Sequence, residues 1–169
     1  MVRALGNSIE RPADFVSALN QCVIDTGVGA STHTVFSFSL LTLYPTQERF
    51  SYISCGYVPL WYIPSGADSP RRLTADNTSL GIPTAGDFME VDGNFNIGDT
   101  LVLHTFQAGS AKSVQEIEFD EAQFLEALLE NLFFSPQTQV DAIFRKVSQK
   151  EGRNFFERPV TVIGIERVA

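Results

Sequence analysis

The sequence predicts an α+β domain, a layered antiparallel β-sheet with helices, on three observations. Period-two alternation fills the middle of the chain, helical spacing occupies both flanks, and helices and strands do not take turns as they would in a doubly wound fold. At 169 residues, one domain spanning 1–169 is expected, long enough to bury a core without staples.

The elements follow in order. Phe15, Val16, Leu19, Cys22 and Val23 fall on one helical face, with Pro12 in the first turn and Gly27 and Gly29 past the end. Residues 34–44, "TVFSFSLLTLY", alternate Phe36, Phe38 and Leu40 against Ser37 and Ser39, which is a strand with one wetter face. "PTQE" is a turn and "RFSYISCG" a second alternating strand, so the pair reads as an antiparallel hairpin. "PLWYI" follows Gly56 and is expected to close a meander, with "PSGADSPRR" a loop after it. Residues 74–86 are rich in turn formers. "DFMEV" and "DTLVLHT" read as two more strands joined through "DGNFNIG", where Asp92-Gly93 is a hairpin-turn signal.

The period then changes. Asp120 is placed to cap a helix whose buried stripe is Phe124, Leu125, Leu128, Leu129 and Leu132. Ser135-Pro136 opens another, lined by Val140, Ile143, Phe144 and Val147. "RPVTVIGIERV" ends the chain as a strand rich in β-branched residues.

Composition narrows the function. Hydrophobic residues make up 44%, with fourteen Phe, which is the composition of a packed domain. The net charge of −8, from 20 acids against 12 bases, argues against a polyanion-binding surface; Arg71-Arg72 and Arg145-Lys146 are the only tight basic clusters. No apolar run is long enough for a membrane span, and "MVRALGNSIERPADF" has no apolar export core. With Cys22 and Cys55 alone there is no disulfide framework, and a cytoplasmic setting is expected, in a free protein or the cytoplasmic part of a longer one.

No residue cluster declares a chemistry by spacing. Neither His33 nor His104 lies in a nucleophile motif, and no G-x-S-x-G elbow or phosphate loop is present. Cys55 and His104 would need to meet across a sheet to form a thiol–imidazole pair, for which packing of the cysteine is the plainer reading. Candidate acids are Asp87, Glu90, Asp92 and Asp99, then Glu116, Glu118, Asp120 and Glu121. Asp99 reads as a turn residue before a strand, and the alternating Glu116, Glu118 and Asp120 as a solvated face. None has the spacing of a calcium loop or zinc site.

Taken in order, the segments resemble a known family. "RPADFVSALNQ" is similar to the P-x-x-h-h-x-x-L-N helix of PPM-type serine/threonine phosphatases of the SpoIIE/RsbU branch. "TVFSFSLLTLYPTQERFSYISCGYVPLWYI" resembles that family's strand, turn and strand leading to an A-G-H-x-P-P-like corner. "SLGI" resembles its L-P-L-G segment, "FNIGDTLVLHT" its P-G-D strand, "FDEAQFLEALL" and "VDAIFRKV" its helix pair, and "PVTVIGIER" its terminal D-D-x-T strand. The resemblance covers nearly the whole chain and implies part of an αββα sandwich, the C-terminal portion of the family domain.

In that family, aspartates hold two divalent ions, manganese or magnesium, that activate water against a phosphoserine or phosphothreonine. The matching positions here lack the ligands. T-D-G becomes Thr105-Phe106-Gln107, and D-D-x-T becomes Arg158-Pro159-Val160-Thr161; Glu157 is out of register by one. The corner, Cys55 to Pro59, keeps Gly56 and loses the histidine and asparagine. Motifs of G-D-x-Y-D and D-G-x-G type, which precede the matched helix in the family, are not in this sequence. The expectation is therefore a degenerate domain with no catalytic residue, no metal ligand and no cofactor. It would act by binding an anti-anti-sigma (STAS-type) or other partner-switching protein. Manganese or magnesium enters only on the alternative that this is the C-terminal part of an active phosphatase, in which an N-terminal segment carries most of the metal site. A third reading is an unrelated α+β ligand-binding or dimerisation domain, in which Tyr57, Trp61 and Tyr62 line a pocket, though core or interface packing is the stronger expectation for them; Gly56, Tyr57 and Trp61 are the candidate partner or pocket residues. An open sheet edge, where N-terminal strands would pair, would favour a homodimer.

Overall fold

The computed structural model describes residues 11–26, 36–56, 58–75, 77–83, 87–105, 121–149 and 161–169, the side chains of 147–149 excepted. Its elements are α1 (Pro12–Asp25), β1 (Phe38–Tyr44), a 3-10 turn (Pro45–Gln47), β2 (Arg49–Cys55), β3 (Leu60–Ile63), β4 (Arg71–Leu73), β5 (Val91–Asn94), β6 (Thr100–His104), α2 (Glu121–Glu130), α3 (Pro136–Gln149) and β7 (Val162–Glu166). The described strands make two sheets, β1-β2-β5 and β4-β3-β6-β7, in which the β1–β2, β2–β5, β3–β6 and β6–β7 pairs are antiparallel. The α+β class is as expected. The chain forms two compact units, Met1–Pro59 with Leu73–Phe95 and Leu60–Arg72 with Asn96–Ala169.

In the first unit, the expected hairpin is present, with Phe38 opposite Cys55 and Tyr44 opposite Arg49. Glu48 makes the turn at φ 53. The third partner is β5, not "PLWYI": Phe50 faces Gly93 and Ser51 faces Asp92. Asp92-Gly93 is thus strand and not turn. The reason is room, because a Cβ on Gly93 would stand 2.5 Å from Cζ of the buried Phe50 ring. Strand β5 also begins later than "DFMEV" implied. At Met89 the Asn77 side-chain amide takes the place of a neighbouring strand, donating to Met89 O at 2.9 Å and accepting from Met89 N at 2.8 Å. Helix α1 covers Ile53 and Cys55 with Ala13 and Val16, which completes this unit's core with Leu80 and Phe88.

In the second unit, β3 pairs with β6 and β6 with β7, Leu60 facing Leu103 and Leu101 facing Ile165. The meander expected through "PLWYI" does not form, since β3 belongs to a different sheet from β2. The end of "PSGADSPRR" is strand β4 at that sheet's edge. Phe124, Ala127 and Leu128 of α2 and Ile143 of α3 pack with Trp61, Ile63 and Val102. Ser135 caps α3 as read, its Oγ accepting from Thr138 N at 3.4 Å. Leu129, expected in the buried stripe, is instead exposed: Phe124, Ala127 and Leu128 already fill the inward face of this ten-residue helix. The expected cap Asp120 and strand face Glu116, Glu118 and Asp120 lie outside the described residues.

Candidate functional site

The two segments that would carry the family's last carboxylates end on adjacent strands. The β6–β7 ladder runs from Thr100 opposite Glu166 to His104 opposite Val162. One step further, Thr105 N donates to Thr161 O at 3.0 Å, and Thr161 N donates to Thr105 Oγ1 at 2.8 Å. These are the threonines of the segments likened above to T-D-G and D-D-x-T, which the register sets side by side. Beneath them His104 is buried, its ring 4.7 Å from that of Phe124. Phe106, Arg158 and Pro159 lie outside the described residues, as does Tyr57. By side-chain chemistry none of the three expected at ligand positions offers a carboxylate: a phenyl ring and a pyrrolidine ring cannot ligate a hard cation, and a guanidinium repels one. Under the motif alignment expected from the sequence, these side chains would not fit a pair of divalent ions.

Four of the other candidate acids, Glu90, Asp92, Asp99 and Glu121, have structural tasks. Glu90 accepts from Ala13 N at 2.9 Å and from Ser51 Oγ at 2.6 Å. Helix α1 has no side-chain cap of its own, so this carboxylate from a distant segment takes up an orphan N–H at its positive end. Asp92 pairs with Arg49 at 3.0 Å on the surface, and Glu121 with Arg72 at 2.9 Å. Asp99 is 2% exposed and accepts from Tyr62 Oη, Ser65 N, Asn96 N and Asn96 Nδ2 at 2.9, 2.8, 2.7 and 3.3 Å. It is the turn residue before β6, as read. Burial, with the hydrogen bond to Asp99 and its charge, pushes the Tyr62 phenol up to about 12. Among the described residues no three His, Cys, Asp or Glu side chains group to hold a metal ion.

The motif segments of the first unit also meet. Asn20, 4% exposed, donates from Nδ2 to Ile82 O at 3.1 Å and accepts from Gly81 N at 2.8 Å. The asparagine of the "RPADFVSALNQ" helix thereby clamps the "SLGI" segment. Sequence reading quoted both segments without assigning Asn20 a task; the signal was a polar residue four positions after Val16, on the buried face.

Gly56 ends β2 at φ +88, where a Cβ would stand 2.8 Å from Ser37 Oγ and 2.9 Å from Ser79 Oγ. Both the backbone conformation and the space favour glycine there. Trp61 is buried in the second unit's core, its ring 5.7 Å from Phe124. Cys55 lies on the first unit's sheet and His104 on the second's. His33 lies outside the described residues. Burial pushes the Cys55 thiol up to about 11, which keeps it protonated at neutral pH. Iodoacetamide on the folded protein at pH 8 should therefore modify the partly exposed Cys22 first, with Cys55 labelled only on unfolding, as read by peptide mass spectrometry. Equal labelling of the two would contradict this burial.

Architecture and motif placement together define a PP2C-type phosphatase fold. Over 98% of its length the chain is similar to the SiaA-PP2C domain of Pseudomonas aeruginosa, at 16% identity and a TM-score of 0.71, covering 67% of that chain. Similarity to the RsbU and RsbW domains of a Mycobacterium tuberculosis protein gives 16% identity and a TM-score of 0.74, over 99% of this chain and 46% of that one. The SpoIIE phosphatase domain from Bacillus subtilis, presoaked with manganese, matches at 14% identity and a TM-score of 0.58, over 99% of this chain and 71% of that one. At such identities the likeness establishes the fold. The sequence itself matches the family of Stage II sporulation protein E (SpoIIE) over residues 1–164, and the chain belongs to that family. Comparison with curated proteins returns no match. Among the described residues no helix is long and apolar enough to cross a membrane.

Proposed function

We propose that residues 1–169 are the C-terminal portion of one SpoIIE/RsbU-type phosphatase domain that has lost its metal ligands and acts by binding protein. Its partner would be an anti-anti-sigma (STAS-type) or other member of a partner-switching circuit, in the cytoplasm. The observation that carries this is the Thr105–Thr161 pairing. It supports the alignment of the two motifs, and that alignment puts Phe106, Arg158 and Pro159 where the family has carboxylates. The similar Mycobacterium tuberculosis chain, which joins an RsbU and an RsbW domain, supports a partner-switching setting. The test is a manganese titration with a phosphoserine-peptide turnover assay: no saturable binding and no turnover are expected, whereas tight binding with turnover would refute the loss of function.

A second reading has its own support. The chain covers 67% of the SiaA domain and 46% of the RsbU–RsbW chain, so the matched structures contain much that has no counterpart here. If the natural protein carries a preceding segment with the family's earlier aspartates, this chain would be part of an active manganese- or magnesium-dependent phosphatase. A G-D-x-Y-D segment encoded upstream of Met1 would favour that reading.

A further inference from the structure

Among the described residues, the long-range hydrogen bonds of helix α1 go to two limbs of one segment, 77–83 and 87–90. At the start of the helix, Ala13 N donates to Glu90 Oε1 at 2.9 Å. About two turns on, Asn20 accepts from Gly81 N at 2.8 Å and donates to Ile82 O at 3.1 Å. Apolar contact of Ala13 and Val16 with Ile53 and Cys55 presses the helix onto β2, but such contact has no direction. The hydrogen bonds to the two limbs therefore decide where along the sheet the helix sits.

The limbs are not equally anchored. Limb 77–83 is bonded by main chain to the open end of the β1–β2 hairpin. Gly56 N donates to Asn77 O at 3.3 Å, Leu80 N to Phe36 O at 2.9 Å and Phe36 N to Leu80 O at 3.0 Å. Limb 87–90 lies outside the β2–β5 ladder, which ends with Val91 opposite Tyr52. On that limb Phe88 buries its ring, while Met89 is 53% exposed. The main chain at Met89 is held by the buried Asn77 amide, which donates to Met89 O at 2.9 Å and accepts from Met89 N at 2.8 Å. A primary amide supplies there the donor and the acceptor that a neighbouring strand would supply. The next residue is Glu90, whose two carboxylate oxygens accept from Ala13 N and Ser51 Oγ. We propose that Asn77 is a positioning residue for α1: its amide staples the two limbs into one bracket and so fixes both ends of the helix. This goes beyond the functional reading above and holds whether or not the domain is catalytic.

Amide hydrogen exchange of the 169-residue chain, read residue by residue by NMR, tests it. Ala13 N–H and Gly81 N–H report the two ends of the helix, and Met89 N–H reports the staple. N77A should speed all three by at least about tenfold, since each is released when the limbs part. In an E90A background, N77A should speed Ala13 by no more than about twofold further, because its effect there passes through Glu90. A general loss of stability would add in full instead. In the wild type at low urea the three amides should open together, with protection within about threefold of one another. N77A that speeds Met89 alone would overturn the proposal, as would full additivity with E90A at Ala13. So would a wild type in which Met89 exchanges at least about tenfold more readily than Ala13 and Gly81, a measurement that does not depend on N77A folding.

Discussion

Replacing Asp99 by alanine is expected to lower the thermal unfolding midpoint by roughly 10 °C, from a loss of about 3–5 kcal/mol. The carboxylate is 2% exposed and gathers donors from Tyr62, from the Ser65 backbone and from both the backbone and side chain of Asn96. Truncation leaves those donors facing each other with no acceptor, and the cost of unpaired buried donors exceeds the net value of the bonds removed. The consequence reaches the sheet. Arg167 N donates to Asp99 O and Gly98 N to Arg167 O, so the same turn anchors the end of β7 beside β6. Asp99→Asn should recover only part of the loss, because its amide group presents two donors to a cluster made of donors. Alkaline pH probes the same cluster. Tyr62 is raised from 10.0 to about 12 by burial and by Asp99. Between these values the unfolded phenol has lost its proton while the folded one keeps it, so stability is intact below pH 10 and falls as pH rises toward 12. Tyr62→Phe should flatten that alkaline decline in a denaturant series. An Asp99→Ala midpoint within about 2 °C of wild type would show that the turn does not depend on the carboxylate.

Asn20→Leu is expected to cost about 2–3 kcal/mol despite preserving the volume and burial of the side chain. It deletes a donor and an acceptor at once, leaving Gly81 N–H and Ile82 C=O unmatched against the helix. Asn20→Asp keeps the acceptor for Gly81 N and sets a carboxylate against Ile82 O, so it should fall no better than Leu at neutral pH. Urea unfolding with an unchanged m-value would assign the loss to this clamp and not to a looser denatured state. Stability equal to wild type in Asn20→Leu would mean that the helix and the "SLGI" segment are joined by apolar packing alone.

The parts of the fold legible in the sequence were those written in periodicity. Helix α1, the β1–β2 hairpin, β6 with Asp99 before it, and the Ser135-Pro136 opening of α3 all stand where the apolar spacing and cap residues put them. What was not legible depended on contacts distant in sequence. Asp92-Gly93 has the composition of a turn, and only the Phe50 ring, brought across by strand pairing, makes the glycine a strand residue. "PLWYI" follows β2 so closely that a meander looked natural, but neighbouring in sequence does not select the sheet a strand joins. Leu129 fitted a helical stripe, and the width of the core face left it outside. At the candidate site the ordered motifs identified the family, while the tasks of Asn20, Asn77 and Glu90 became visible only as hydrogen bonds across the chain.

The proposed loss of the metal site is tested most directly by calorimetric titration of manganese into this chain, run beside turnover of a phosphoserine peptide. The expected result is no saturable heat and no phosphate release at any manganese concentration tried, with the same outcome for Phe106→Asp alone, since on the proposed alignment Arg158 and Pro159 would still occupy the other ligand positions. Saturable binding accompanied by phosphate release from the unaltered chain would contradict it.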